Sequence, residues 1–424
     1  MQKAPMTPIQ VTDDSLKPAP HFAIIGAGLA GLSCAIALMQ SGFKVSIFEQ
    51  AGEISEVGAG LQLSSNATHI LAQWDLLNRV EAMGFKPNGV RFEHWKNASL
   101  IAQFPLNRQA EHLNSPYIHI HRADLQNILL DKVLQVAPAC LHLNKRVTNL
   151  NSHAENISIM FADGETATFD WVLGADGIHS LCKRFITPDK DANFSANTFT
   201  NNVFTGNIAW RGLIPAHVLK KKPGAFAHLV MAPEAHLVFY YVKDGAFLNY
   251  VAVKETQTPA PESWTEKSSL DELLEIFSEW HPAYLELLAQ SDPEHCYKWA
   301  LHDRNPLTSW SKGRCIILGD AAHPVLPFLA QGAALAIEDA QALAHIFKNH
   351  PEKTVQETGD FFYKMRAERC SKVREASREN MKLYHEKNFI KRFIRDSGAR
   401  VFSYIYPEFL NKKLDWLYQY RLKQ

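Results

Sequence analysis

Residues 22–48 read FAIIGAGLAGLSCAIALMQSGFKVSIF, and Glu49 follows directly. The first eighteen of them, Phe22 to Met39, carry no charge, which is enough apolar length to raise a membrane span. Gly26, Gly28 and Gly31 argue otherwise, because they divide the run into a four-residue β-rich piece and a helix of small side chains. The spacing G-x-G-x-x-G predicts a strand over 22–25, a tight turn, a helix to about Gln40 and a second strand over 44–48. Gly26 permits the turn, Gly28 lets the backbone approach a pyrophosphate, and Gly31 lets the helix pack closely on the strand. Glu49 then stands where a carboxylate accepts hydrogen bonds from a ribose hydroxyl. A merely structural glycine turn explains neither Glu49 nor the spacing, so the N-terminal part is read as a dinucleotide-binding α/β unit.

Composition narrows the class. At 424 residues the chain exceeds one compact core and predicts two or three domains. Lys+Arg and Asp+Glu number 44 each, so no overall field favours nucleic acid or an anionic membrane, and neither is expected as a partner. Cys34, Cys140, Cys182, Cys296, Cys315 and Cys370 are scattered without a CxxC pair or metal-ligand spacing. That predicts reduced, buried thiols, no metal site and a cytoplasmic location. Residues 1–20, MQKAPMTPIQVTDDSLKPAP, are polar and proline-rich without an apolar stretch, and are expected to form a disordered tail.

The glycine fingerprint alone does not separate FAD from NAD. Four later stretches bear on it: VGAGLQLSSNATHIL (57–71), HIHRADLQNILLDKVL (119–134), WVLGADGIHSLCKRF (171–185) and RCIILGDAAHPVLPFLAQGAALAIEDAQALA (314–344). Each sets glycine or charge at a strand end or helix start, as phosphate- and sugar-binding loops require. The second has an arginine, Arg122, before a helix expected to start near Asp124. In the last, a buried strand meets Asp320, a loop kinked by Pro324 and Pro327, and a small-residue helix opening at Gly332.

With GAGLAG, GADGIHS and GDAAHPVLPFLAQGAALAIED in this order, the chain resembles the single-component FAD-dependent aromatic hydroxylases of the para-hydroxybenzoate hydroxylase fold. The branch of salicylate, 3-hydroxybenzoate and 6-hydroxynicotinate hydroxylases is the most similar, and WLYQY (416–420) resembles a stretch in that branch. The resemblance implies bound FAD, NADH or NADPH and O2 as co-substrates, and hydroxylation of a small aromatic acid through a flavin C4a-hydroperoxide. It places Asp320 on the flavin ribitol, Pro327 to Gln331 beside the isoalloxazine ring, and the Gly332–Ala333–Ala334 helix start at the flavin N1/O2 edge. It places Arg122 near the FAD phosphates and Asp176 near the pyrophosphate crossing. Leu29, Ala30, Gln50, Gly60, Leu61 and Val147 complete the expected cofactor contacts. Two departures stand out: Ala330 replaces a glycine, and Asn207 in GNIAWRG replaces a histidine, so that histidine's role does not carry over.

The fold expected is α/β: a Rossmann-type FAD-binding domain (21–95, 118–190 and 296–350) interleaved with a smaller β-sheet substrate domain (96–117 and 191–295), then a helical region (351–424). The basic run KMRAERCSKVREASREN in that region reads as a solvated surface. His302, in WALHDRNP, is the expected base that activates a phenol, because imidazole titrates near neutrality. Arg211 is expected to pair with a substrate carboxylate, and Tyr241 and Trp210 to line the pocket. Oligomeric expectation is a monomer or homodimer. Alternatives are a flavin monooxygenase or epoxidase acting on a larger secondary metabolite, and a non-catalytic flavin-binding protein.

Overall fold

The computed structural model describes residues 19–54, 59–106, 115–187, 202–258 and 266–422, so most of the expected tail lies outside the described residues. The glycine unit forms as read: β1 (His21–Ile25), α1 (Leu29–Gln40) and β2 (Lys44–Phe48), with β1 and β2 parallel. They enter a six-stranded sheet ordered β18 (Ser311–Lys312), β19 (Cys315–Ile317), β11 (Trp171–Gly174), β1, β2, β7 (Leu141–His142). Its core strands are apolar without alternation because both faces are covered. β11 and β19 bring the second and third motifs beside the first at the strands' C-terminal ends.

A second sheet has eight strands, ordered β16 (Glu266–Lys267), β17 (Tyr297–Arg304), β12 (Asn202–Pro215), β15 (Phe247–Glu255), β14 (Ala235–Val242), β13 (Ala227–Ala232), β4 (Gly89–His94), β5 (Leu100–Pro105). Two small sheets remain: β3 (Gly60–Leu63) with β6 (Ile118–His121), and β8 (Val147–Ser152) with β9 (Ile157–Phe161) and β10 (Thr166–Phe169). The expected division needs moving here. Residues 89–94 and 297–304 are expected in the FAD-binding segments, yet β4 pairs with β13 and β17 pairs with β12. Both therefore belong to the eight-stranded sheet.

The helices are α2 (Ser65–Gln73), α3 (Leu77–Met83), α4 (Arg122–Val136), α5 (Leu181–Ile186), α6 (Leu270–Ile276), α7 (Pro282–Leu288), α8 (Gly332–Asn349), α9 (Val355–Tyr384), α10 (Phe389–Ile405) and α11 (Phe409–Tyr418). α4 starts at Arg122, two residues before the expected Asp124, with Asp124 in its first turn. α9 opens on a capping box between Thr354 and Glu357, which satisfies otherwise unpaired N–H groups. α6 and α7 cover the far face of the large sheet. The near face meets the loop around Leu326 and Phe328, and α9 to α11. All six cysteines are free and buried. Among the described residues no helix is long and apolar enough to cross a membrane.

Candidate active site

Backbone sterics fix the first glycine loop. Gly26 has φ +98°, and a methyl group there would lie 2.6 Å from the Ala175 carbonyl oxygen; one on Gly31 would lie 1.9 Å from the Gly26 oxygen. Gly28 is different, because nothing among the described residues comes within 4 Å of where its Cβ would be. It caps α1 without a side-chain bond, and the first turn holds no acid. Gly332, the first residue of α8, has only Val325 near it among the described residues, at 3.9 Å, and its N-cap Gln331 gives no side-chain cap. Two helix N-termini thus turn N–H groups toward open space, which suits a pyrophosphate at one and a ring bearing negative charge at the other.

Glu49 completes the cradle. Its Oε2 accepts from the Ala27 N–H and its Oε1 from the Ala51 N–H, both at 2.9 Å, which holds the carboxylate at the lip of the loop. Gln126 donates to the Ala27 carbonyl at 3.1 Å, and Arg122 lies one helical turn earlier on the same side of α4. Gln126 was not legible in the sequence as a loop partner. Asp320 is exposed on the turn Gly319–Ala321, Pro327 is exposed, and Ala333 is half-buried. Leu29, Ala334 and Val147 are buried, Ala30 packs under Gly319, and Gln50 is exposed. Asp176 is engaged within its own turn: it accepts from Ser180 Oγ and the Cys182 N–H, and burial raises its pKa. The open spaces at Gly28 and Gly332 and the carboxylate of Glu49 fit FAD.

Beneath α8 lies a buried ionic clasp, built in part from the basic run whose composition predicts a solvated surface. Arg366 and Arg369, from the basic run of α9, are buried against Glu338 and Asp339 of α8. Asp339 accepts from Arg366 at 2.8 Å, from His323 at 2.5 Å and from the Gly319 N–H at 3.0 Å. Glu338 accepts from Arg369 and from Asn66, each at 2.6 Å. Asn66 and Ser64 hold the side-chain amide of Gln331 at 3.1 and 3.0 Å. Both ends of the 319–332 loop are therefore tied to one charge cluster. Arg366 also donates to Tyr420, and Arg369 to the Leu417 carbonyl, so the WLYQY stretch closes the clasp.

The charge states follow from packing. Burial pushes Asp339 up, but His323 and Arg366 outweigh it and hold the carboxyl at about 2. Burial pushes His323 down, and Asp339 more than offsets this, so the imidazolium persists well above its ordinary range. Asp339 contributes stability above its ordinary value of 3.8 and loses it as pH falls toward 2. His323 contributes stability that is full below 6.5 and is lost as pH rises through its elevated pKa. FAD retention should therefore be broad across neutral pH and fall at both ends. His323→Gln should move the alkaline limb, read by flavin release against pH.

The backbone at Ala330 is left-handed, φ 52° and ψ 40°, the conformation that favours the glycine this residue replaces. That conformation costs a residue with a Cβ about 1–2 kcal/mol, part of which glycine's extra freedom returns. Ala330→Gly should stabilise the protein by about 0.5–1 kcal/mol in denaturant titration.

Cross-strand register defines the substrate side. On the near face, His236, Val253, Ala209 and Trp299 form one row, Val238, Val251, Arg211 and Tyr297 the next, and Tyr240, Asn249 and Leu213 a third. The first row is covered by Leu326 and Phe328. The third is covered by β3, where Asn249 accepts from the Gly60 N–H at 2.7 Å and a methyl on Gly60 would strike Tyr240 and Asn249. Leu61 follows in the same strand. The middle row is left half-covered: Val238, Val251 and Tyr297 are all partly exposed although they lie within the sheet. Arg211 is buried in that row, its guanidinium 5.7 Å from the Tyr297 ring and 5.4 Å from the Trp299 ring. Two buried amide atoms on this face, Asn207 Oδ1 and Asn249 Nδ2, lack a hydrogen-bond partner among the described residues.

Strand parity corrects two expected pocket residues. Tyr241 faces the far side, donating to the Pro223 carbonyl at 3.1 Å, and Trp210 does too, donating to Ser268 Oγ at 3.1 Å. Tyr240 holds the near-face position. β17 presents Trp299, Leu301 and Asp303 to one side, and His302 to the other. His302 is half-buried beside Phe204, with Nδ1 3.2 Å from the Ala300 carbonyl oxygen. The structure does not bring it onto the row of Arg211. Asp303 binds Arg374 and Arg378 of α9 instead, a second use of the basic run.

The fold and these loops define a FAD-binding protein, and comparison with known sequences agrees: residues 21–373 match the FAD binding domain family. The 6-hydroxynicotinate 3-monooxygenase of Bordetella bronchiseptica is 31% identical over 373 residues, covering 87% of this chain and 93% of that protein. The 3-hydroxybenzoate 6-hydroxylase 1 of Aquipseudomonas alcaligenes is 30% identical, covering 76% and 79%. A salicylate hydroxylase substrate complex shares the fold with TM-score 0.76 at 24% identity, covering 95% and 96%. The chain belongs to the FAD-dependent aromatic hydroxylase family, and FAD is its cofactor.

Proposed function

We propose that this protein hydroxylates a small aromatic acid lying on the Val238–Val251–Arg211–Tyr297 row, with electrons from NADH or NADPH and oxygen from O2. The observation that carries this reading is a buried arginine in the half-covered, apolar middle row of a sheet that faces the flavin loop. Bound FAD would supply the electron transfer and oxygen activation that no side chain provides. Arg211 would bind the carboxylate, and its fixed position between aromatic rings would orient the ring. Val238 and Val251 would exclude water from the reacting edge. Asn249 Nδ2, on the adjoining row, can donate to a ring substituent, which would satisfy an orphaned amide. The hydroxybenzoate and hydroxynicotinate relatives support an acid of that size. The test is a panel of hydroxylated aromatic acids and their neutral amides with FAD-loaded protein. Selected acids should accelerate NAD(P)H consumption by about tenfold or more and yield an oxygenated product by mass. Equal stimulation by acids and amides would remove the role of Arg211.

A further inference from the structure

From the unpartnered face of α10 we infer that this protein docks peripherally on anionic lipid bilayers. α10 contains no buried residue. It rests on the body through Arg395, Ala399 and Phe402, with Ala399 packed beside β5 and Phe402 stacked on Phe409. At 100° per residue, the opposite side carries Phe389, Ile390, Phe393, Ile394, Val401, Tyr404 and Ile405. Their exposures run from 53% at Val401 to 90% at Tyr404. Such a stripe exceeds the scattered apolar residues a soluble surface normally shows.

Charge decides the occupant. The whole chain is electrically balanced, but every exposed charged residue between Asn380 and Lys413 is basic: Lys382, Lys387, Lys391, Arg400, Lys412 and Lys413. The acids of that stretch, Glu386, Asp396 and Glu408, are half-buried, and Asp396 is paired with Arg395 at 2.7 Å. Lys387 is engaged by Glu234 and Glu255; of the other five, Arg400 and Lys391 stand on α10 itself and Lys382, Lys412 and Lys413 on the helices before and after it. A second copy of this chain would set one basic rim against another, whereas a bilayer surface carrying anionic headgroups complements both the rim and the apolar stripe. Beside the stripe lies a groove of about 200 Å³ whose wall carries Arg392 and Arg400 together with Asp396, the acid already paired with Arg395. Balanced net charge predicts no anionic-membrane partner, but the asymmetry is local and appears only when α10 is placed.

FAD-loaded full-length protein should be sedimented with vesicles of phosphatidylcholine alone and with about one third phosphatidylglycerol. Binding to the anionic vesicles should exceed binding to the neutral ones by about tenfold or more and fall steeply between low and high salt. Ile394→Asp and Phe393→Asp, both at exposed positions, should abolish it while flavin absorbance is kept. Lys391→Glu with Arg400→Glu should weaken it. Failure to bind either vesicle would overturn the inference. So would a doubled solution mass for the wild type that returns to one chain in Ile394→Asp, because the face would then belong to a second copy.

Discussion

Arg366→Met is expected to destabilise the protein by about 3–5 kcal/mol, the cost of leaving buried carboxylates without their counter-charge. Arg366 is fully buried and touches both Glu338 and Asp339, at 2.7 and 2.8 Å. Removing it leaves Arg369 for Glu338 and His323 for Asp339, and neither can serve both acids. The clasp also positions Gly319 and Gln331, so the loss should reach the cofactor: the FAD dissociation constant should rise together with the fall in denaturation midpoint. Replacing Lys364, an exposed basic residue of the same run, with methionine should change neither. Equal, small effects from both substitutions would mean that the basic run is solvated, as its composition suggests.

The second large effect is at Arg211. Arg211→Gln should lower product formation about 10²-fold with aromatic acids, the usual cost of removing a buried charge–carboxylate contact. FAD should stay bound, since the Gly26–Gly31 loop and the clasp are built without Arg211. NAD(P)H consumption should lose its dependence on the acid, with peroxide released in place of product. His302→Phe, on the other side of β17, should cost less than tenfold by the same measure, and Tyr241→Phe less than Tyr240→Phe. A His302→Phe variant that falls as far as Arg211→Gln would restore the base expected from sequence.

The first glycine loop was legible because its geometry is written in backbone requirements. Gly26 and Gly31 are needed where chain passes chain, and only such positions demand glycine at fixed spacing. The boundary strands were not legible, because β4 and β17 join a sheet built mostly from residues 202–255, and pairing partners are distant in sequence. Parity failed at Tyr240 and Tyr241 because HLVFYYV is apolar on both sides, so it carries no alternation to read. The clasp was invisible for a similar reason: Arg366 and Arg369 find their acids 27 and 31 residues earlier, in a separate helix. A basic run and an isolated acid pair each look solvated until α8 and α9 pack together.

Monooxygenation makes a demand that no binding protein or oxidase shares: one atom of O2 must enter the product. The direct measurement is turnover of the most stimulating aromatic acid under ¹⁸O2, with the product's mass read against a reaction in ordinary oxygen. One ¹⁸O per product, in wild type and in lower yield in Arg211→Gln, is the expected result. Product that takes its oxygen from water, or NAD(P)H oxidised with every acid only to peroxide, would contradict it.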